Sequence, residues 1–169
     1  MNDIEFCFEN NLMLGVPAKD KRSVVQIIAS HLALRTGMPF NVIFDGLMDR
    51  EALGSTGFGD GFALPHALIS DLSTPARVLV TLREPIDFDA ADDEAVDIFV
   101  AVIWPQEQHD GFLQHLAKLC RLFRSKKLLV ALRSARSETE ASILISAHAG
   151  KTALDAQLPS TASPSVLVP

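Results

Sequence analysis

Cysteine, clustered positive charge and long apolar runs are all scarce in this chain, and each scarcity closes off a class of function. The two cysteines, Cys7 and Cys120, have no metal-type spacing and read as free thiols of a reducing compartment. Lys and Arg number 15 against 21 Asp and Glu, for a net charge of −6. The basic residues are scattered. Their densest group, Arg121, Arg124, Lys126 and Lys127, reads as the solvated end of a helix, which argues against nucleic-acid binding. The longest apolar run, Ile98 to Trp104, falls far short of a membrane span. The first residues are polar and acidic, unlike a secretory signal. The expectation is a cytoplasmic protein with no membrane insertion and no nucleic-acid partner.

What is present suits a packed fold. With 169 residues, 48% of them hydrophobic, the chain has the size of one domain and buries about two-thirds of its unfolded surface. Leu12 to Val16 reads as a short edge strand ended by Pro17. Val24, Ile27, Ile28, His31 and Leu32 recur at helical spacing, with Gly37 as the stop. Phe40, Ile43, Phe44, Leu47 and Met48 repeat the spacing after Pro39, in a helix that carries Arg50 and ends near Gly54. Phe62 to Leu64 is a short strand. Val78, Val80 and Leu82 alternate with their neighbours as a second, and an acidic connection from Glu84 to Ala95 follows. The unbroken apolar run to Trp104 is a strand covered on both faces. Asp110 offers a cap for a helix whose face is Leu113, Leu116, Cys120 and Phe123. Ser125 starts a short helix through Leu132, and Ser137 with Glu140 forms a capping-box pattern for a last one. A strand buried on both faces needs helices on each side, so the fold class is α/β, a three-layer sandwich with a mixed β-sheet and helices on both faces. The short link after Glu84 allows antiparallel neighbours.

The informative stretch is Arg50 to His66, with four glycines between Gly54 and Gly61. Glycine at that density gives up conformational entropy and is tolerated where backbone turns tightly or approaches a ligand. A nucleotide-binding loop does not fit: no Gly-Lys-Ser/Thr is present, and the stretch follows a helix rather than a strand. Two readings stay open on residue types alone. In one the glycines serve a tight crossing and His66 is a packed histidine. In the other, His66 accepts a phosphoryl group beside the Arg50 cation and the Ser55 and Thr56 hydroxyls.

The string Arg50-Glu51-Ala52-Leu53-Gly54-Ser55-Thr56-Gly57-Phe58-Gly59-Asp60-Gly61-Phe62-Ala63-Leu64-Pro65-His66 resembles the active-site signature of the enzyme IIA domains of the bacterial phosphotransferase system. The likeness is to the fructose/mannitol class, above all its nitrogen-regulatory member. Pro85 to Ala90 and Asp97 to Phe99 resemble the family's middle strands, and Leu116 to Ser137 its later helices, so the likeness runs from about residue 10 to 148. Residues 1–149 read as one domain; from Gly150 on no period shows and three prolines follow, so 150–169 reads as a disordered tail. The likeness implies a phosphohistidine carrier with His66 as acceptor, Arg50 and Thr56 as the matching arginine and hydroxyl, and a histidine-containing phosphocarrier protein as donor. No metal or cofactor is implied, since the donor arrives phosphorylated. Glycine N–H groups form an anion nest in this reading. A regulatory role through protein binding is the main expectation, in a chain with no attached membrane or sugar-binding domain. The alternatives are a sugar-transport enzyme IIA that passes phosphate to an enzyme IIB, and a binding module without phosphorylation.

Two departures from the family pattern stand out. Ala67 follows the acceptor where glycine is usual. An ungapped count from Pro105 and from Ser137 places Phe112 where the family has a second histidine, with His109 and His115 each one helical turn away. His109 and His115 read as surface residues, and His31 and His148 as core or half-buried ones. The acidic run Asp89 to Glu94 lacks calcium-loop spacing and reads as a solvated turn. Phe58 and Phe62 suit either an apolar docking surface or buried anchors.

Overall fold

The computed structural model describes residues 8–157. Its sheet has six strands: β1 (Leu12–Val16), β2 (Gly57–Gly59), β3 (Phe62–Ala63), β4 (His66–Ile69), β5 (Ala76–Ile86) and β6 (Val96–Pro105). The order is β1-β5-β6-β3-β2, with β4 also paired to β6. The sheet is mixed. β1 runs parallel to β5, β5 antiparallel to β6, and both β3 and β4 parallel to β6. Helices α1 (Lys21–Thr36) and α2 (Phe40–Ala52) cover one face; α3 (Phe112–Phe123), α4 (Lys126–Ser134) and α5 (Glu138–Gln157) cover the other. This is the three-layer α/β sandwich expected.

Local chemistry explains the ends of the helices. Asp20 accepts from the Ser23 N–H and Ser23 returns the bond, a complete capping box, while Gly37 closes α1 at φ +76° in the left-handed region. Ser125 caps α4. At α5 the Ser137 hydroxyl takes the Glu140 N–H, but the Glu140 carboxylate reaches back to the N–H of Arg136 rather than of Ser137. Along β6, residues of one parity join α1 and α2 in a core containing Phe99, Ala101 and Ile103. The other parity, with Ile98, Val100 and Val102, joins α3 to α5.

The structure departs from the sequence reading in four places. Strand β2 lies inside the stretch read as a glycine-rich loop, and β4 starts at its last residue, His66. At α3 the cap is Gly111, not Asp110. The buried face of α3 is Phe112, His115, Leu116, Leu119, Leu122 and Phe123, whereas Leu113 is 74% exposed. His115 is therefore a buried residue, not a surface one, because i, i+3 and i+4 from Phe112 share the inward face. Last, α5 continues past Gly150 to Gln157. Lys151, Ala153 and Leu154 favour helix enough to carry one glycine, and the Thr152 hydroxyl donates back to His148 O. The remainder of the expected tail, 158–169, lies outside the described residues, as does Cys7. Cys120 is a free thiol.

Candidate functional site

The glycine-rich stretch is a hairpin set against the end of α2. Asp60 and Gly61 link β2 to β3, both with positive φ, 56° and 79°, the Asp-Gly two-residue turn that matches strand twist. A side chain at Gly61 would meet the Arg133 guanidinium and Asp97. Arg133 of α4 holds this turn: Nε and Nη2 form a forked pair with the Asp97 carboxylate at 2.7 and 2.8 Å, and Nη2 also donates to Asp60 O at 2.8 Å. The Asp97 partnership raises the Arg133 pKa further above its usual value. Asp92 accepts the Asp60 N–H at 3.0 Å and the Glu94 N–H at 3.2 Å, which lowers its pKa and shows the acidic run as an ordered turn.

After Leu64 and Pro65 the chain rejoins β6 as β4, with His66 opposite Val102. The His66 ring is half-buried. Nδ1 lies 2.8 Å from Leu64 O, and Arg50 Nε lies 3.1 Å from Nε2. A carbonyl only accepts and a guanidinium only donates, so Nδ1 carries the proton and Nε2 presents its lone pair. Burial lowers the His66 pKa, and the Arg50 charge lowers it further; the Leu64 carbonyl and Glu51 pull the other way without reversing it. The ring is thus neutral at neutral pH, with a fixed tautomer. Arg50 is itself anchored, through Nη1 to Gly54 O at 2.8 Å.

The three residues expected at the site are not equivalent. Arg50 and His66 touch. Thr56 is buried, and its hydroxyl donates to Glu51 Oε1, while its N–H donates to the same carboxylate at 3.1 and 3.3 Å. Glu51, which the sequence reading passed over, is the hub of this corner. It is 6% exposed, and Lys21 Nζ of α1 stands 3.4 Å away while also pairing with Asp89 at 2.8 Å. The glycine nest is not open. The Gly54 N–H donates to Glu51 O, and the Gly57 N–H to the Ser55 hydroxyl, which itself donates to Phe88 O. Phe62 is fully buried, stacked on Phe123, while Phe58 is 47% exposed.

Phe112 stands where the count placed it. Its ring packs on His66 with centroids 5.8 Å apart and edge-on geometry, and on Trp104 at 5.8 Å. His115 instead packs on Trp104 at 5.4 Å, with Nε2 3.5 Å from Arg77 Nη1. His109 is exposed, and His31 and His148 are half-buried against Asn11 and Leu144 O. Among the described residues no cluster of His, Cys, Asp and Glu could hold a metal ion.

Known proteins resemble the chain over most of its length. A family profile described as phosphoenolpyruvate-dependent sugar phosphotransferase system, EIIA 2, matches residues 5–148. The chain is 34% identical to the nitrogen regulatory protein of Escherichia coli strain K12 over 126 residues, 74% of this chain and 77% of that protein. It is also 34% identical to the nitrogen regulatory protein of Pseudomonas aeruginosa over 125 residues, 73% of this chain and 80% of the relative. The crystal structure of nitrogen regulatory protein IIA-Ntr from Neisseria meningitidis matches with a TM-score of 0.77 at 26% identity, covering 80% of this chain and 93% of that one. IIA mannitol from Escherichia coli shares the fold, with a TM-score of 0.70 at 18% identity over 81% and 96% of the two chains.

Proposed function

Since the chain belongs to the EIIA 2 family of the phosphoenolpyruvate-dependent sugar phosphotransferase system, we propose that it is a phosphoryl carrier of the nitrogen-regulatory type, with His66 as acceptor and a histidine-containing phosphocarrier protein as donor. The observation that carries this reading is the His66 ring itself: neutral, with Nδ1–H fixed on Leu64 O and the Nε2 lone pair turned to Arg50. In transfer, Nε2 attacks the donor's phosphorus. A new N–P bond forms as the donor's N–P bond breaks, and the leaving electron pair stays on the donor imidazole. Arg50 leaves the lone pair and turns its fork of N–H groups to the phosphoryl oxygens, where charge is spread in the transition state. The positive character gained by the phosphorylated ring is held by Leu64 O. Thr56 acts one step back, by fixing Glu51 and the loop that anchors Arg50. No metal enters this scheme. The phosphorylated and free forms then differ by a dianion on the His66 ring, which gives a protein partner something to read.

The test is to incubate the chain with phosphoenolpyruvate, enzyme I and phosphocarrier, then record its intact mass at alkaline pH. A gain of one phosphoryl group is expected, absent in His66→Ala. A gain that persists in the variant assigns the acceptor elsewhere. A second reading, a binding module that works without phosphorylation, is favoured by Phe112, whose ring offers phosphate no donor. No mass gain at any donor concentration would select it.

A further inference from the structure

Helix α2 carries a glycine at its midpoint, Gly46, and only proline is a poorer helix former. Gly46 is not among the glycines with positive φ, so no left-handed turn calls for it. What it provides is space. A Cβ on Gly46 would stand 2.9 Å from Ile69 Cδ1 and 3.5 Å from Ala67 Cβ, both on β4. Carbon atoms ordinarily meet at about 3.5–4.0 Å. A Cβ on Gly150, the glycine inside α5, would meet nothing within 4 Å. Gly46 is thus a point of close approach between α2 and β4. Ile69 has little freedom to give way there. It is 2% exposed, packs in the core shared with α1 and α2, and is β-branched, which stiffens its χ1.

This contact lies one helical turn before Arg50, and residues four apart share a face of the helix. On the strand, His66 directly precedes Ala67. Ala67 and Ile69 face α1 and α2, while His66 points to the other side, onto Phe112. Among the described strands β4 pairs with β6 alone, so Arg50 reaches the His66 ring past the outer edge of β4. Its second bond, to Gly54 O, is made to the chain that continues α2 and moves with that helix. The 3.1 Å contact from Arg50 Nε to His66 Nε2 therefore depends on how closely α2 is seated on β4.

We propose that Gly46 is a positioning residue for the acceptor: the absence of a side chain there seats α2 on β4 and brings Arg50 within bonding range of His66. Its effect on transfer rests on the phosphohistidine reading of His66; its effect on the ring rests on geometry alone. Relieving the Ile69 contact requires a shift of about 0.6 Å. A shift of that size at Arg50 stretches the Nε to Nε2 separation to about 3.7 Å, beyond a hydrogen bond. The guanidinium then no longer stands where phosphoryl oxygens arrive, and a misplacement of about 1 Å can cost up to about a hundredfold in rate.

Variants of the full chain test this: Gly46→Ala, Gly46→Ala with Ile69→Val, and Arg50→Ala as the reference for a lost contact. Nitrogen NMR of the His66 ring reads the contact with no phosphate present. In Gly46→Ala the Nε2 resonance should move toward its Arg50→Ala position, and the ring pKa, held down in part by the Arg50 charge, should rise. Transfer from the phosphocarrier should slow about tenfold. In an Arg50→Ala background Gly46→Ala should add nothing, since both act through one contact. Ile69→Val removes Cδ1 and makes room for the new methyl, so the double variant should recover the parent's ring spectrum and most of its rate. A glycine with no positioning role gives the opposite result. Alanine favours helix, so Gly46→Ala would melt higher with the ring spectrum unchanged, and that overturns the proposal. So does an effect that persists in full in the Arg50→Ala background, or one that Ile69→Val does not relieve. If Gly46→Ala does not fold, the double variant decides, by matching or missing the parent's ring spectrum. A parent that gains no phosphoryl group refutes the acceptor reading, and the ring spectra then decide the role of Gly46.

Discussion

Around the His66 ring, α2 and the hairpin loop supply Arg50, Glu51 and Thr56, with Lys21 behind them, while α3 and β6 supply Phe112 and Trp104. The first wall handles charge: Arg50 is held between His66 and Gly54 O, and Glu51 between Lys21 and the Thr56 N–H and hydroxyl. The second wall handles only area: its two rings are in tilted contact with one another, and Phe112 meets His66 edge-on. A phosphoryl group on Nε2 would thus meet cationic donors from one element alone. Attack on phosphorus needs a neutral, oriented imidazole, and the first wall together with Leu64 O provides it. Holding the product is where two polar walls would help and where this chain has one.

Disrupting the charged wall at its hub should have the largest effect. Glu51→Ala leaves the Thr56 hydroxyl and N–H without their acceptor and Lys21 short of a partner, so stability should fall by about 2–3 kcal/mol, read from urea midpoints. Unchanged midpoints would mean that the carboxylate is dispensable. Converting the aromatic wall comes next. Phe112→His restores a donor toward the phosphoryl group, and a hydrogen bond to a charged group is worth about 1.5–3 kcal/mol, so the phosphorylated fraction at a fixed donor ratio should rise about tenfold. His115→Ala, by contrast, should leave that fraction nearly unaltered, because His115 packs on Trp104 and Arg77. If His115→Ala lowers it as far as Arg50→Ala does, the two walls are both charged and the contrast fails.

Arg50→Ala separates chemistry from folding within the first wall. Transfer should slow at least about tenfold, equal to about 1.4 kcal/mol, and the melting temperature should move little, since the arginine lies near a helix C-terminus where a cation helps modestly. The smallest effect is the pH dependence. His66 titrates below its ordinary 6.5, chiefly through burial and then the Arg50 charge. The folded state therefore holds fewer protons than the unfolded one between the lowered value and 6.5. The stability linked to this ring is full above 6.5 and is lost as pH falls through the folded-state pKa. His31, lowered by burial and by Arg35, adds to the same trend. Transfer rates should be flat above pH 6.5 and fall on the acid side; proton NMR of the ring checks the pKa, and a value above 6.5 contradicts the buried geometry.

Much of this was legible because single residues carry mechanism. Gly37 and Ser125 marked helix ends by capping chemistry, and alternation marked β5. Counting placed Phe112 beside His66 because no gap intervenes between Pro105 and Ser137. The missing parts have physical reasons. Strands β2 and β4 are three and four residues long, too short for a period to show, although Asp60-Gly61 was an available hairpin signal. The face of α3 was misplaced because Leu113 is apolar and exposed while His115 is polar and buried, the reverse of what composition suggests. Glu51 hid because a carboxylate beside an arginine on a helix reads as solvated surface, and only the fold brings Lys21 and Thr56 to it.

The register of β6 carries a consequence for how such a chain tolerates length change. Phe62, Ala63 and His66 pair with Ile98, Phe99 and Val102, one offset throughout, so β3 and β4 are a single track interrupted at Leu64 and Pro65, where Pro65 O still takes the Val102 N–H at 2.9 Å. Inheritance of one extra codon between Ala63 and His66 would rotate the histidine to the opposite side of the sheet, among the apolar residues of α1 and α2. One extra codon in the link between β5 and β6 would change no strand parity, and the constraint there is different in kind: Phe88, Asp89 and Asp92 must still reach Ser55, Lys21 and Asp60. The link is thus held by contacts, while the spacing of His66 from its hairpin is held by parity.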